Sequence, residues 1–497
     1  MTTRALNPLV VTVPQDDAAR TDRSVARNFL PLIKLHRWLL IVIFLLAGAL
    51  RLLLAMVNQE ANDNHMPVIE IIMKEGRLPT KADGWEGFQP KLFHVVVAAL
   101  CKPLPSGHRR LYFILAQLLN AAAGMATVGI VWRFLQGQAL SDKVKLVSFS
   151  MVALNPGLMG INAQVTNDSF VILFATASLY YLYLFFASSK PKHFIGLTVF
   201  SILAGLSKGN GLALFPGILL AFGIKLMKRG GFSFDPRKGC LAYVLIFSFV
   251  YLVTVPLLGQ YYYNYRHFGS PFVINQDPDP VPHFFEKTYC RRPGVTSIVD
   301  SYLTFRFVDM LETPTAENPD GQGYPLHRTS LWSQLYGKTH FLFFESWPPS
   351  WKARSAMMLN LGRVTLILGV IPMAILFGGA FQEARRWWRG CLRDQLGFVT
   401  ASSDWVFGIF FLGYLLFIVA YTLHHRDCSC MKVLFLFPAM LPAAFLFSEG
   451  LAWVYGKLGR GIVLLETAFV LLGVCYVSSC VVLILRLAKQ ALQTYLT

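Results

Sequence analysis

The sequence is short of charge, and shorter still of acid. Of its 497 residues 14% are Asp, Glu, Lys or Arg, with 27 acidic against 45 basic side chains. Soluble domains carry roughly 25% charged residues, so a deficit kept up over this length excludes a chain whose whole surface faces water. The eight cysteines include no paired Cys-x-x-Cys spacing, which argues against a zinc ribbon or finger. No repeat of fixed period is present, which sets the chain apart from transporters built of inverted repeats. A cleavable leader is also missing. The first apolar run starts near Trp38, behind a polar stretch carrying Arg20, Arg23, Arg27, Lys34 and Arg37. That order predicts an uncleaved anchor behind a cytoplasmic basic segment, 1–37.

What is present are long apolar runs: Leu39 to Met56, Tyr243 to Leu258, Val364 to Phe381, Val406 to Tyr421 and Gly461 to Leu485. Each approaches the roughly 20 residues that cross a bilayer as a helix. None shows the alternation of a barrel strand. The basic residues sit mostly between the runs, as in Lys225, Lys228, Arg229, Arg237 and Lys238, or Arg385, Arg386, Arg389 and Arg393. That is the positive-inside pattern. Nucleic acid would want one basic stripe interleaved with aromatics, so the net charge of +18 predicts membrane lipids as neighbours and no nucleic acid.

Charge asymmetry then predicts an all-α polytopic membrane protein of about eleven transmembrane helices. They fall near 38–57, 111–132, 145–162, 169–187, 194–206, 212–226, 241–258, 358–381, 405–421, 433–447 and 461–485. The short apolar stretch 91–104 reads as an interfacial helix after the first outside loop. The expected divisions are an N-terminal transmembrane module, 38–258, that includes the first outside loop, 58–89; a large outside loop, 259–355; and C-terminal transmembrane helices, 356–497. A loop as long as 259–355 tends to be functional, and its Trp332, Trp347 and Trp351 suit a membrane interface.

On this topology Asp63, Glu86, Asp168, Lys208, Arg266 with His267, and Arg426 with Asp427 all fall at the outer face, from separate spans and one loop. Ionisable groups beside a membrane are costly unless paired or used. Any one of them reads equally as solvated loop charge; their convergence favours a site. Asp63, near the end of the first span, suits a general base. His65 and His267 with Asp63 lack a metal-ligand spacing, so no metal ligand is assigned and a divalent cation is left open as cofactor. Cys290 is placed outside with Cys428 and Cys430, and a disulfide and unpaired thiols stand as equal readings. Glu466, deep in the last span, has no assigned role.

The residues also resemble a family. Glu60-Ala61-Asn62-Asp63-Asn64-His65 follows the first span. Gly76-Arg77-Leu78-Pro79 comes next, then Glu86-Gly87-Phe88-Gln89-Pro90-Lys91-Leu92-Phe93-His94. This order resembles the first outside loop of the GT-C membrane glycosyltransferases that use polyprenyl-phosphate sugars, the protein O-mannosyltransferase and aminoarabinose transferase group. Four later segments agree: Asn155-Pro156 with Thr166-Asn167-Asp168-Ser169; Gly205-Leu206-Ser207-Lys208-Gly209-Asn210-Gly211; Tyr262 to Pro271; and Lys432 to Pro442. The chain departs from the family where Pro90-Lys91-Leu92-Phe93-His94 stands for Pro-Pro-Leu-Tyr-Tyr, where Arg266-His267 stands for Arg-Asn, and where Val433 to Phe435 replaces a late Arg-Tyr.

The resemblance implies a GT-C-like fold and sugar transfer from a polyprenyl-phosphate donor to a lipid, glycan or protein acceptor at the outer, periplasmic or lumenal, face. It implies Asp63 as base, with Asp168 as a second carboxylate or the partner of a cation. Lys208, Arg266 and Lys432 become donor-phosphate ligands, although Lys208 and Lys432 also suit snorkelling to the interface. Asn64, His65, Glu86, Gln89 and His267 become substrate-binding residues. The rivals are a transporter or flippase of a lipid-linked glycan and a non-catalytic assembly protein of the same fold. A bacterial inner membrane is favoured over the endoplasmic reticulum.

Overall fold

The computed structural model describes residues 18–496 except 61–62, 85, 106–107, 228–235, 274–276, 278–296, 319–322, 346–347, 354, 393–403 and 425–427. Among the described residues the chain is helical, with short 3-10 turns and no strand. The long helices are α1 Ala18–Val57, α4 Arg109–Gln136, α7 Asp168–Ser188, α9 Leu214–Met227, α10 Pro236–Leu258, α15 Ala356–Leu392, α16 Val406–His424, α17 Met440–Leu458 and α18 Ile462–Leu496. Shorter helices lie between them: α2 His65–Glu75, α3 Leu92–Cys101, α5 Asp142–Ala153, α6 Pro156–Asn162, α8 Pro191–Ser207, α11 Tyr261–Phe268, α12 Ile298–Leu303, α13 Phe307–Glu312 and α14 Leu331–His340. The protein is a multi-pass integral membrane protein.

Eight helical stretches among the described residues are long and apolar enough to cross a bilayer, and nine if α5 and α6 form one bent span. The count of about eleven is therefore not reproduced. Helix α8 has 17 residues, under the roughly 20 that a crossing takes. Residues 437–493 form one continuous apolar stretch, where the sequence pattern suggests two spans, 433–447 and 461–485. The break within it is at Gly459, with φ +51°, between α17 and α18.

The bend of 46° between α5 and α6 has a local cause. Pro156 cannot donate its nitrogen, and the Asn155 side chain accepts from the Leu158 amide at 2.9 Å, starting a new helix. The carbonyls freed at the end of α5 need donors, because none comes from lipid. Arg51 of α1, fully buried, supplies them. Its Nη1 donates to the Ala153 carbonyl at 2.8 Å and its Nε to Asn162 Oδ1 at 3.0 Å. Asn162 in turn donates to Ser169 Oγ at 3.1 Å, so one arginine ties α1 to the bend and to the start of α7.

Helices α15 and α17 approach through glycine. A Cβ on Gly379 would lie 1.9 Å from the Leu446 carbonyl oxygen, and one on Gly450 2.1 Å from that of Ile375. Small residues at such crossings replace the hydrophobic drive that lipid cannot give. Elsewhere the core is aromatic; Phe134 meets Phe407 edge-on at 4.9 Å.

The stretch 259–355 folds onto the bundle. In α14, Leu331, Leu335 and Tyr336 are buried, and His340 Nδ1 lies 2.5 Å from the Tyr476 hydroxyl of α18. Trp351 is buried with its Nε1 donating to Asn58 Oδ1 at 3.1 Å, so it anchors the end of α1. Trp332 is half-buried and donates to the Tyr302 carbonyl. Trp347, Cys290, Arg426 and Asp427 lie outside the described residues. Glu466, unexplained by the sequence, pairs with Lys143 at 3.0 Å and ties α18 to α5.

Candidate active site

Four separate segments meet at one end of the bundle. The first leaves α1 at Asn58. That side chain donates to the Ala163 and Glu60 carbonyls, and Arg110 donates to its own carbonyl at 2.6 Å. The anchoring sets Asp63 just before α2, with the Asp63 carbonyl accepting from the His65 amide. The His65 ring is wholly buried, and its Nδ1 lies 3.0 Å from Nε2 of His94, equally buried on α3.

The second segment is the turn 84–91. The Lys91 ammonium donates to the Gly87 carbonyl at 2.8 Å and to that of Gln89. This curls the chain and turns Glu86 inward, where it is 5% exposed. Gln89 donates to Glu86 and accepts from Asn167 at 2.6 Å. Helix α11 braces the same loop, because Asn264 donates to the Phe88 carbonyl and Gln260 to that of Pro79.

The third segment is 166–168. Asn120 donates to the Gln164 and Thr166 carbonyls, fixing the turn. Asp168 opens α7, where a negative charge suits the helix N-terminus. Its Oδ2 accepts from Thr166 Oγ1 at 2.7 Å. Lys208 reaches it from the turn after α8 and donates to both carboxylate oxygens at 2.8 Å. Lys208 is extended (φ −161°, ψ 155°), which ends α8 and starts the 3-10 turn Gly209–Ala213. That turn folds so closely over α8 that a Cβ on Gly211 would sit 2.2 Å from the Ala204 carbonyl oxygen. Gly211→Ala is expected to displace Lys208 from Asp168 and lower the thermal midpoint by several degrees, measured on the purified protein; an unchanged midpoint would show that the turn yields freely.

The fourth segment carries Lys432, extended ahead of the turn Val433–Phe435. Its Nζ is 3.8 Å from Asp63 Oδ2. Lys338 holds the chain just before it, donating to the Cys428 and Met431 carbonyls and lying 3.5 Å from Glu345.

The two acid–lysine pairs differ. Lys208 and Asp168 are 12% and 2% exposed and make two contacts of charge-assisted length, so that ammonium is committed. Lys432 and Asp63, 14% and 27% exposed, are an ångström farther apart, which leaves both able to take other partners. Burial would raise the Asp63 carboxyl, but the Lys432 ammonium, helped by His65 and Lys208, overrides it and holds Asp63 below its usual value. Burial works against the Lys432 charge, and Asp63 outweighs it, so Lys432 stays protonated. Glu86 is pushed up to about 8, first by burial and then by the Asp63 charge. Burial also lowers His65 to about 4, which keeps the ring neutral, and Lys91 to about 7. Asp63, His65 and Glu86 offer ligand atoms within 4.8 Å of one another.

Of the residues singled out by sequence, the structure brings together Asp63, His65, Glu86, Gln89, Asp168, Lys208 and Lys432. Asn64, Arg266 and His267 stand exposed, and the contacts that tie the cluster do not include them. His267 stacks on Tyr263 at 3.9 Å and bonds its carbonyl. Sequence reasoning missed Lys91, His94 and Lys338 as supports. Lys91 and His94 had a signal, a charge and an imidazole on either side of the start of a strongly apolar helix; Lys338 had none.

Residues 109–271, less than half of the chain, match a family model described as dolichyl-phosphate-mannose-protein mannosyltransferase. No curated protein matches the chain. Among solved structures, the crystal structure of ArnT from Cupriavidus metallidurans in the apo state is 14% identical with a TM-score of 0.35, covering 82% of this chain and 76% of that one. The structure of the same enzyme bound to undecaprenyl phosphate is 13% identical with a TM-score of 0.32, covering 86% and 78%. The matched segment runs from α4 through the Asp168 and Lys208 turns to the end of α11, so it holds the tight acid–lysine pair and the brace of the first outer loop. Over residues 109–271 the chain is similar to the dolichyl-phosphate-mannose-protein mannosyltransferase family.

Proposed function

We propose that this cluster moves a sugar from a polyprenyl-phosphate donor to an acceptor hydroxyl at the outer membrane face, with Asp63 as general base. The reaction is a displacement at the anomeric carbon. The acceptor oxygen forms the new bond to that carbon while its proton passes to Asp63. The bond from the anomeric carbon to the phosphate oxygen breaks, and the leaving polyprenyl phosphate takes up the negative charge. A base and a cation are what such a step needs. The observation that carries the reading is the contrast between the two pairs. Asp63 is ionised, partly exposed and loosely held, as a base must be, and Lys432 beside it is a protonated cation free to follow the phosphate.

Lys208 acts differently on this reading. Bound to Asp168 on both oxygens, it fixes the carboxylate that faces the acceptor and contributes only at longer range to the phosphate. Arg266, exposed on α11, is a further cation for the donor phosphate on this reading. An apolar groove of about 350 Å³ lined by Phe215, Tyr251, Tyr261, Tyr262, Tyr265 and Phe272 runs beside the Lys208 turn. It suits an isoprenoid chain, which asks for aromatic and aliphatic walls and no hydrogen bonds.

The test is to incubate the detergent-purified protein with total lipid extract and identify bound lipids by mass spectrometry, with Lys432→Ala, Lys208→Ala and Arg266→Ala alongside. A polyprenyl phosphate or its sugar conjugate is expected on the wild type, with Lys432→Ala retaining the least, at least ten-fold below wild type. Bulk phospholipid alone on a folded preparation would overturn the donor assignment.

A further inference from the structure

We infer that a groove between α1, α5 and α18 holds one inner-leaflet phospholipid with a primary ammonium in its head group, of the phosphatidylethanolamine class. The groove encloses about 600 Å³, within the roughly 300–1,000 Å³ of ligand sites. Its walls include Ile43 and Leu46 of α1, Val147 and Met151 of α5, and Phe469 and Val474 of α18. It is separate from the acid–lysine cluster. Helix α1 lines the groove from Leu39, at the start of its apolar span, and leads to the cluster only past its other end, at Asn58. The mouth of the groove is therefore at the opposite face. Arg37, Lys143, Lys457 and Arg460 are exposed at that end, which marks it as the inner side.

The dimensions suit a lipid chain. On α18 the lining runs from Glu466 to Ser478, roughly 18 Å at 1.5 Å per residue. Half of a hydrocarbon core about 30 Å thick is about 15 Å, so the groove is one leaflet deep. Gly473 keeps it open, because a Cβ there would meet nothing within 4 Å. The wall is dry. The Ser150 hydroxyl is spent on the Leu146 carbonyl of its own helix at 2.7 Å.

The polar groups gather at the mouth, and they carry both signs. Lys143 and Glu466 lie 3.0 Å apart and are 54% and 34% exposed, so each has room for a further partner. The Tyr455 hydroxyl, lining the same end from α17, is buried without a hydrogen-bond partner, an uncommon state for a polar atom. Such a set is complementary to a zwitterion. A lipid phosphate accepts from Lys143 and from Tyr455, and an ethanolamine ammonium donates to Glu466. Phosphatidylglycerol would bring only negative charge to Glu466, and phosphatidylcholine has no N–H to donate. The groove takes no part in the proposed transfer reaction, so the two readings stand or fall separately.

The experiment uses the full chain, delipidated in mild detergent and titrated with dioleoyl phosphatidylethanolamine, phosphatidylcholine or phosphatidylglycerol, with bound lipid read by native mass spectrometry. One phosphatidylethanolamine per chain is expected, bound at least ten-fold more tightly than either other lipid. Gly473→Leu fills the groove from a position open to a side chain, and should weaken that binding at least ten-fold with the thermal midpoint kept. Gly413→Leu, at an equally open and exposed position on α16 outside the groove, should leave it unchanged. Glu466→Gln should bring phosphatidylethanolamine down to the level of phosphatidylcholine. Equal binding of the three lipids by the wild type would overturn the site, as would full binding in folded Gly473→Leu. Tighter binding of phosphatidylglycerol would overturn the head-group assignment. If Gly473→Leu does not fold, an unchanged lipid preference in Glu466→Gln would do the same.

Discussion

Asp63→Asn will lower transfer about 10²- to 10⁴-fold, the contribution typical of a positioned general base, and will leave the protein folded. The two halves of this expectation have separate causes. The amide keeps the size and hydrogen-bonding reach of the carboxylate but cannot accept the acceptor's proton, so the loss falls on kcat. The structural part is small because Asp63 is about a quarter exposed and its pairing with Lys432 is long, at 3.8 Å. Partly exposed ion pairs contribute about 0–1 kcal/mol. Turnover of a polyprenyl-phosphate sugar, measured beside the thermal midpoint in the same detergent, separates them. A variant with wild-type midpoint and wild-type turnover would remove Asp63 from the chemistry. A large fall in donor affinity with kcat intact would make it a binding residue.

The second large effect is expected at Asp168, and it is mainly one of stability. Asp168 is 2% exposed and its partner Lys208 12%. Asp168→Ala leaves an ammonium below the surface without its counter-charge and leaves the Thr166 hydroxyl without its acceptor. Breaking a buried pair from one side costs about 3–5 kcal/mol. Lys208→Met alone should cost a comparable amount, since the carboxylate is then stranded. The double variant Asp168→Ala, Lys208→Met removes both charges and should recover much of that loss, with a coupling of about 1–3 kcal/mol in a double-mutant cycle. Recovered stability without recovered transfer is the expected pattern, because a neutral pair no longer fixes a carboxylate toward the acceptor. Strict additivity of the two single effects would show that the contact is energetically idle. Recovered transfer in the double variant would confine the pair to a structural role.

These two carboxylates were both visible in the sequence, Asp63 as a base and Asp168 as a second carboxylate or the partner of a cation. Each lies in a short motif after an apolar run, and motif order does not say which lysine meets it. What distinguishes them is a difference of about one ångström in how close a lysine comes, and that lysine arrives from far along the chain: residue 208 for Asp168 and residue 432 for Asp63. The same holds for the three cations proposed to meet the donor phosphate. Lys208, Arg266 and Lys432 were equal by charge and by predicted face. Burial and pairing then separate a committed ammonium, an exposed guanidinium and a loosely held ammonium.

Trp351 and Glu466 show where local reading stops. A tryptophan in a long loop suits a membrane interface, and the structure shows that Trp351 is buried and holds Asn58 at the end of α1. Glu466, to which the sequence assigned no role, meets Lys143 of another helix. In both cases the residue type fixes a need, a partner for an indole N–H or for a carboxylate, and only the packing of distant helices says what meets it. The transmembrane count is not confirmed for a related reason. Hydropathy detects apolar runs, but the 17 residues of α8 and the break at Gly459 are matters of helix length and backbone angle.

The sequence by itself determined that the chain is helical and crosses a membrane several times, because lipid admits no unpaired backbone and the apolar runs are continuous. It also pointed to Asp63, Glu86, Asp168 and Lys208 as residues of one outer cluster, because charge beside lipid must be paired or used. Tertiary structure alone decided which carboxylate takes which lysine, that the His65 ring lies against His94, and that Glu86 is brought beside Asp63 and His65. Those outcomes depend on ångström-scale distances and on burial between segments from about twenty to several hundred residues apart, and short-range sequence pattern carries neither.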